Sequence, residues 1–187
     1  MVDRDRNAVA LTYTLEDGYG SRIVVPGAGF LLNNEMGDFN AGPGLTTADG
    51  LIGTGPNLAA PGKRMLSSMT PTILARDGAL FMVTGSPGGR TIINTVLLTI
   101  LNVVDFGMNA QEAVDAPRFH HQWLPDRLQY ERFGTSPDTL AILAGRGHTL
   151  APIGSQGVAE VIVVEPKRGM LEGGIDRRAA DGGAAGR

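Results

Sequence analysis

The stretch from Gly62 to Arg90, GKRMLSSMTPTILARDGALFMVTGSPGGR, constrains the fold more than any other. Thr72 to Ala75 and Ala79 to Val83 are short apolar and β-branched runs flanking Arg76-Asp-Gly78, a turn that closes a β-hairpin. Gly85-Ser-Pro-Gly-Gly89 follows at once and leads into an apolar segment. In that segment the polar residues Thr91, Asn94, Thr95, Asn102 and Asp105 recur at near-helical spacing. Thr91 to Phe106 therefore reads as a mostly buried helix, with Gly107 as its stop. A hairpin feeding through glycines into a buried helix calls for helices layered on a sheet.

The rest of the chain fits that frame. Asn7 to Leu15 reads as a strand, and Ile23 to Val25 as a short one broken by Pro26. Residues 40–61 hold repeated Gly, Pro and Ala with little periodicity, the composition of a long functional or flexible loop. Asn109 to Ala116 reads as a short helix ended by Pro117. Leu128 to Glu131 reads as a strand. Ser136-Pro-Asp opens a helix to Ala144 or Gly145, with serine as N-cap and proline at the first helical position. Val158 to Val164 is a further strand, turned by Glu165-Pro-Lys-Arg-Gly into Met170-Leu-Glu. Strands, then helices, then strands, without an internal repeat, imply one α+β or layered α/β domain with a mainly antiparallel sheet.

Composition narrows the function. A net charge of −3 with no basic stripe argues against nucleic acid as a partner. With no cysteine, thiol nucleophiles, disulfides and thiolate metal sites are excluded. Thr91 to Val104 is too short to span a bilayer and carries Asn94 and Asn102. Charged residues are 19% of the chain, a little low, which suggests that something else covers much of the surface.

Several constellations carry chemistry. The glycine turn at 85–89, placed before a helix, offers backbone N–H groups to an anion or an oxyanion; its plainer reading is a tight strand-to-helix corner. It has neither the Gly-Lys-Ser/Thr ending of a P-loop nor the G-x-S-x-G elbow. Ser67 and Ser68 offer two hydroxyl donors to a carboxylate, or are ordinary loop serines. Glu35 and Asp38, three apart in NNEMGD, can hold an ammonium, or form a solvated acidic helix start. His120-His121 is a poor metal pair, because adjacent residues point apart and only His148 remains; no metal or cofactor is expected. Arg118 reads as a structural anchor.

Taken together, LTYTLEDGYGS (11–21), FLLNNEMGDF (30–39), GKRMLSSMTPTI (62–73), VTGSPGGR (83–90), Asp115-Ala-Pro-Arg-Phe-His-His-Gln-Trp123 and the closing Asp176-Arg-Arg resemble the small subunit of the γ-glutamyltranspeptidases. The resemblance covers essentially the whole chain and implies an N-terminal-nucleophile hydrolase, a four-layer αββα sandwich of which residues 1–187 are the small-subunit half. It implies a precursor that cuts itself into two subunits. The new N-terminal threonine attacks a γ-glutamyl amide, its own amino group acting as base. Water or an amino-acid or peptide acceptor then releases the glutamyl group.

By resemblance, Thr14 hydrogen-bonds that nucleophile, Glu35 and Asp38 hold the substrate α-ammonium, and Ser67 and Ser68 hold its α-carboxylate with an arginine of the large subunit. Gly88 and Gly89 supply the oxyanion N–H groups, and residues 40–61 form a lid. Glu16 stands where many members have an asparagine that helps hold the ammonium. The family motif Thr-Thr-His-aromatic-Ser falls just before Met1, so the nucleophile lies outside these residues and the chain alone is expected to be inactive. The implied partners are the large subunit, glutathione and other γ-glutamyl compounds; the implied location is periplasmic or extracellular. Two alternatives stand beside this reading: a non-catalytic γ-glutamyl-binding module, and a related amidase such as a cephalosporin acylase or a capsule-anchoring transpeptidase.

Overall fold

The computed structural model describes residues 1–180 and 182–186. They form two compact units. The larger comprises Met1–Thr12, Ser68–His120 and the chain from Leu128 onward; the smaller comprises Tyr13–Ser67 and His121–Arg127.

In chain order the larger unit holds β1 (Thr72–Arg76), β2 (Ala79–Gly85), α1 (Ile92–Val104), α2 (Ala110–Asp115), β3 (Phe119–His120), β4 (Leu128–Glu131), α3 (Pro137–Gly145), β5 (Leu150–Ile153), β6 (Glu160–Val164) and β7 (Leu171–Ile175). The strands form an antiparallel sheet in the order β1-β2-β6-β7 and a smaller sheet β3-β4-β5, whose β4 and β5 run parallel. This is an α+β fold.

The hairpin forms as its turn residues dictate. Asp77 and Gly78 both have positive φ, 52° and 79°, the conformation a two-residue turn needs to match strand twist. Phe81, Met82, Val83 and Thr84 are all buried, so the middle of β2 is covered on both faces. Met82 and Thr84 stand opposite Val163 and Val161, and all four are buried. Phe81, Met82, Val161 and Val163 join Val103 of α1 and Ala110, Ala113 and Val114 of α2 in one apolar cluster. Met82 has no exposed surface; truncating it to alanine would cost about 2–5 kcal/mol.

The helices are held to the sheet by specific bonds as well as by burial. Asn109 and Glu112 form a reciprocal capping box at the start of α2, each bond 2.9 Å. The Gln111 amide donates to the Ile175 carbonyl at 2.8 Å and accepts from its N–H at 3.2 Å, so it pairs with the edge of β7 as a strand would. In α1 Val96 and Val103 are buried, while Ile93 and Leu97 stand about half exposed.

Two expected strands do not form. Asn7 to Leu15 makes only an isolated bridge, Val2 to Ala8, and leaves Leu11 77% and Tyr13 84% exposed. Its β-pattern describes a surface that fits against a neighbour, and among the described residues no strand pairs with it. Ile23 to Val25 is reduced to a bridge between Val24 and Leu31. Two strands went unanticipated. The strand β3 is two residues long, and β5 contains Pro152, tolerated because β5 lies at an edge of its sheet. Ser136 sits at the N-cap position of α3 without bonding the helix backbone; its hydroxyl pairs with that of Thr139 at 2.9 Å.

The smaller unit has no α-helix or named strand among its described residues, only 3-10 turns at Glu35–Asp38 and Gly55–Asn57. Residues 40–61 are nevertheless not structureless. Asn40 donates to the Thr54 carbonyl, Asn57 donates to that of Asp38, both at 2.7 Å, and Asn57 accepts from Leu66 N–H at 2.9 Å. Among the described residues no helix is long and apolar enough to cross a membrane.

Candidate active site

In the smaller unit the backbone brings three acids together. Asn34 stitches the segments: its N–H donates to the Leu15 carbonyl at 3.1 Å, and its side chain accepts from Asp17 N–H at 3.1 Å. The Thr14 hydroxyl accepts from Glu16 N–H at 2.8 Å and holds Glu16 at φ 76°, an uncommon conformation for a side-chain-bearing residue. The Glu16 carboxylate then lies so close over Gly37 that a Cβ there would stand 2.2 Å from Oε1. A side chain at position 37 would push the Glu16 carboxylate aside.

Glu16 and Glu35 are both shifted by burial and by acidic neighbours. Burial, then Asp38, Glu35 and Asp17, raise the Glu16 carboxyl above its ordinary value, partly offset by Gly37 N–H. Burial, then Asp38, raise Glu35 likewise. Glu35 Oε1 is buried with no hydrogen-bond partner. Among the described residues no cationic side chain forms an ion pair with any of the three, and no three His, Cys, Asp or Glu side chains converge as a metal would require. Carboxylates in such an arrangement can accept hydrogen bonds from a cation. Ser67, in the same unit, is exposed.

The larger unit carries the rest of the anticipated residues. Ser68 is half-buried, its carbonyl accepting from the Thr70 hydroxyl at 2.9 Å. Gly88 has φ 139°, a conformation reserved for glycine, and starts the short 3-10 turn Gly89–Thr91 that runs into α1. No heavy atom lies within 4 Å of where a Gly89 Cβ would stand, so that side of the turn is open. The first N–H groups of such a helix have no partner within it, and this is where an oxyanion can be received.

The histidines do not form a metal pair. His120 is buried in β3, and His121 Nε2 lies 3.1 Å from Asp126 in the following turn. Arg118 is an anchor, 2% exposed, donating to the carbonyls of Gln156 at 2.7 Å and Val114 at 2.8 Å and pairing with Asp176 at 2.6 Å. Its partners were not anticipated. Arg178 bridges Glu131 and Asp176, and Glu131 accepts from the N–H groups of Arg118 at 2.9 Å and Gln156 at 2.8 Å. The Asp176-Arg-Arg run was the available signal, but spacing alone does not show that Glu131 meets it.

Residues 1–186 match the family model described as gamma-glutamyltranspeptidase. The chain belongs to the γ-glutamyltranspeptidase family. It is 50% identical over 186 residues to the glutathione hydrolase proenzyme of Escherichia coli K12, covering 100% of this chain and 32% of that protein. A crystal structure of acivicin-inhibited γ-glutamyltranspeptidase superposes with a TM-score of 0.90 at 47% identity, covering 96% of this chain and 97% of that one. The Pseudomonas nitroreducens γ-glutamyltranspeptidase complexed with L-DON gives 0.88 at 42%, covering 100% and 97%. The chain spans about a third of the length of the curated glutathione hydrolase proenzymes it matches. Members of the γ-glutamyltranspeptidase family are enzymes, and the fold is that of the N-terminal-nucleophile hydrolases.

Proposed function

We propose that residues 1–187 act as the small subunit of a γ-glutamyltransferase/glutathione hydrolase and hold the γ-glutamyl substrate during acyl transfer. The observation that carries this is the uncompensated acid cluster, in which Glu35 has a buried oxygen without a partner. A glutamyl α-ammonium supplies both the missing charge and the missing donors. Glu35 and Asp38 hold it, and Glu16 adds to the field in place of the commoner asparagine. Ser67 and Ser68 donate to the α-carboxylate, so that opposite ends of a zwitterion meet opposite chemistry. The N–H groups of Gly88 and Gly89 stabilise the oxyanion, Thr14 positions the nucleophile, and residues 40–61 act as the lid.

Autoproteolytic processing of a larger precursor supplies the attacking threonine as a new N-terminus, together with the large subunit. The exposed outer face of α1 and the exposed Leu11 and Tyr13 are surface for that subunit to cover. Glutathione and related γ-glutamyl amides are donors, water or amino-acid and peptide amines are acceptors, and the enzyme works in the periplasm or outside the cell.

The test is to express the chain with its large subunit and measure γ-glutamyl-anilide hydrolysis. Turnover should appear with both subunits and not with the chain by itself. Thr14→Ala should lower kcat by roughly ten- to a thousand-fold, the range for lost positioning or donor groups. Full activity in Thr14→Ala, or a preference for bulky acyl amides over γ-glutamyl ones, would overturn the assignment.

A further inference from the structure

We infer that Ser86 and Thr91 are positioning residues that aim the N–H groups of Gly88 and Gly89. This rests on the reading of that turn as the oxyanion site.

A trans peptide is planar, with its C=O and N–H pointing in opposite directions. Holding the carbonyl therefore aims the N–H. The N–H of Gly88 shares a peptide plane with the carbonyl of Pro87. That carbonyl accepts from the Ser86 hydroxyl at 2.6 Å. The N–H of Gly89 shares its plane with the carbonyl of Gly88. That carbonyl accepts twice from Thr91, from the hydroxyl at 2.8 Å and the N–H at 3.1 Å. Each prospective oxyanion donor thus has its opposite end tied by a hydroxyl.

The ties lead into the rigid part of the molecule. Ser86, 4% exposed, also accepts from Val158 N–H at 3.0 Å. Gly157 packs against the turn: the Cβ position of Gly88 lies 3.3 Å from its Cα, and a Cβ on Gly157 would stand 2.6 Å from Thr95 Oγ1 and 2.9 Å from Ser86 Oγ. The segment 156–159 is itself held from behind. Glu131 accepts from Gln156 N–H, Arg118 donates to the Gln156 carbonyl, and Asp176 accepts from Ala159 N–H, all within 2.7–2.8 Å. The ion lattice therefore backs the oxyanion turn through Ser86, and a preorganised donor is one that need not reorient as charge develops.

The experiment uses the matured two-subunit enzyme and four variants: Ser86→Ala, Thr91→Val, Thr91→Ser and Gly88→Ala. It compares kcat and KM for a γ-glutamyl anilide with the affinities of two probes. One is glutamate, a ground-state ligand. The other is a γ-boronic acid analogue, whose boron takes up the nucleophile oxygen to become a tetrahedral anion. Ser86→Ala and Thr91→Val should each lower kcat about ten- to a hundred-fold, less than outright loss of an oxyanion donor. They should weaken the boronate by a similar factor while glutamate affinity and KM hold. Thr91→Ser should restore most of kcat.

If both hydroxyl variants keep kcat and boronate affinity while Gly88→Ala loses them, the turn is the oxyanion site but is not aimed this way, and the inference fails. If Gly88→Ala also leaves the boronate-to-glutamate ratio unchanged, the oxyanion reading itself fails. Parallel loss of glutamate binding and melting temperature would mark Ser86 and Thr91 as merely structural. Should Ser86→Ala not fold, with Val158 N–H left buried and unpaired, the Thr91 pair decides.

Discussion

The two units of this chain each gather carboxylates, and they treat them in opposite ways. In the larger unit Asp176 and Glu131 are buried, yet every charge is answered by Arg118, Arg178 or a backbone N–H. In the smaller unit Glu16, Glu35 and Asp38 crowd together with no ion-pair partner among the described residues. A satisfied buried lattice is architecture. Acids left to repel one another cost stability, and such a cost persists where a ligand removes it.

The sharpest way to break that contrast is to unpair the lattice. Asp176→Ala leaves Arg118 buried with its ion-pair partner gone, whereas Arg118→Ala leaves Asp176 still paired with Arg178. Asp176→Ala should destabilise the intact protein by about 3–5 kcal/mol, the cost of an uncompensated buried charge, read as a large drop in melting temperature, and Arg118→Ala by less. Glu35→Gln and Asp38→Asn remove repulsion instead, so both should melt no lower than the parent. A melting loss in the acid variants as large as in Asp176→Ala would erase the distinction.

That distinction was only half legible in the sequence. The hairpin, α1, α2, β4 and β6 were, because Asp77-Gly78, the apolar period of α1, the stop at Pro117 after α2 and short apolar runs are local signals. Asn7 to Leu15 misled because its β-pattern is a statement about a neighbour, and no described strand is that neighbour. In the site, Glu35, Asp38, the serines and the glycines were named from motifs. Glu131 was not, since its approach to Arg178 spans 47 residues of sequence and leaves no local mark. Nor could spacing show that Ser86 ties the turn to residues 156–159.

A smaller effect sharpens the functional side. If Glu35 and Asp38 hold an ammonium by charge-assisted hydrogen bonds, each is worth about 1.5–3 kcal/mol. Glu35→Gln and Asp38→Asn should then raise KM for a γ-glutamyl donor by about ten- to a hundred-fold with kcat less affected. Ser67→Ala and Ser68→Ala remove neutral donors and should each raise KM by about three- to ten-fold, on the scale of one ordinary hydrogen bond. Unchanged KM in the acid variants would leave the cluster without a ligand.

The smallest effect is in pH, and its sign separates the units. Burial raises Glu131 and Asp176, but the bonds from Arg178, Arg118 and backbone N–H groups outweigh it and hold both below ordinary carboxylates. Their stabilisation is present above the unfolded value and is lost as pH falls through the depressed folded one. Glu16 and Glu35 run the other way: raised by burial and by neighbouring acids, they favour the folded state at low pH, and that contribution fades as pH rises through their folded values. An ammonium ligand prefers them ionised, so binding should release protons and strengthen as pH rises through those raised values. Glutamate calorimetry in two buffers of different ionisation heat measures that release directly. Release in the parent that shrinks in Glu35→Gln, while Glu131 variants with intact folding leave it alone, would place the titrating acids in the smaller unit; no release at any pH would mean the ligand's charge is answered elsewhere.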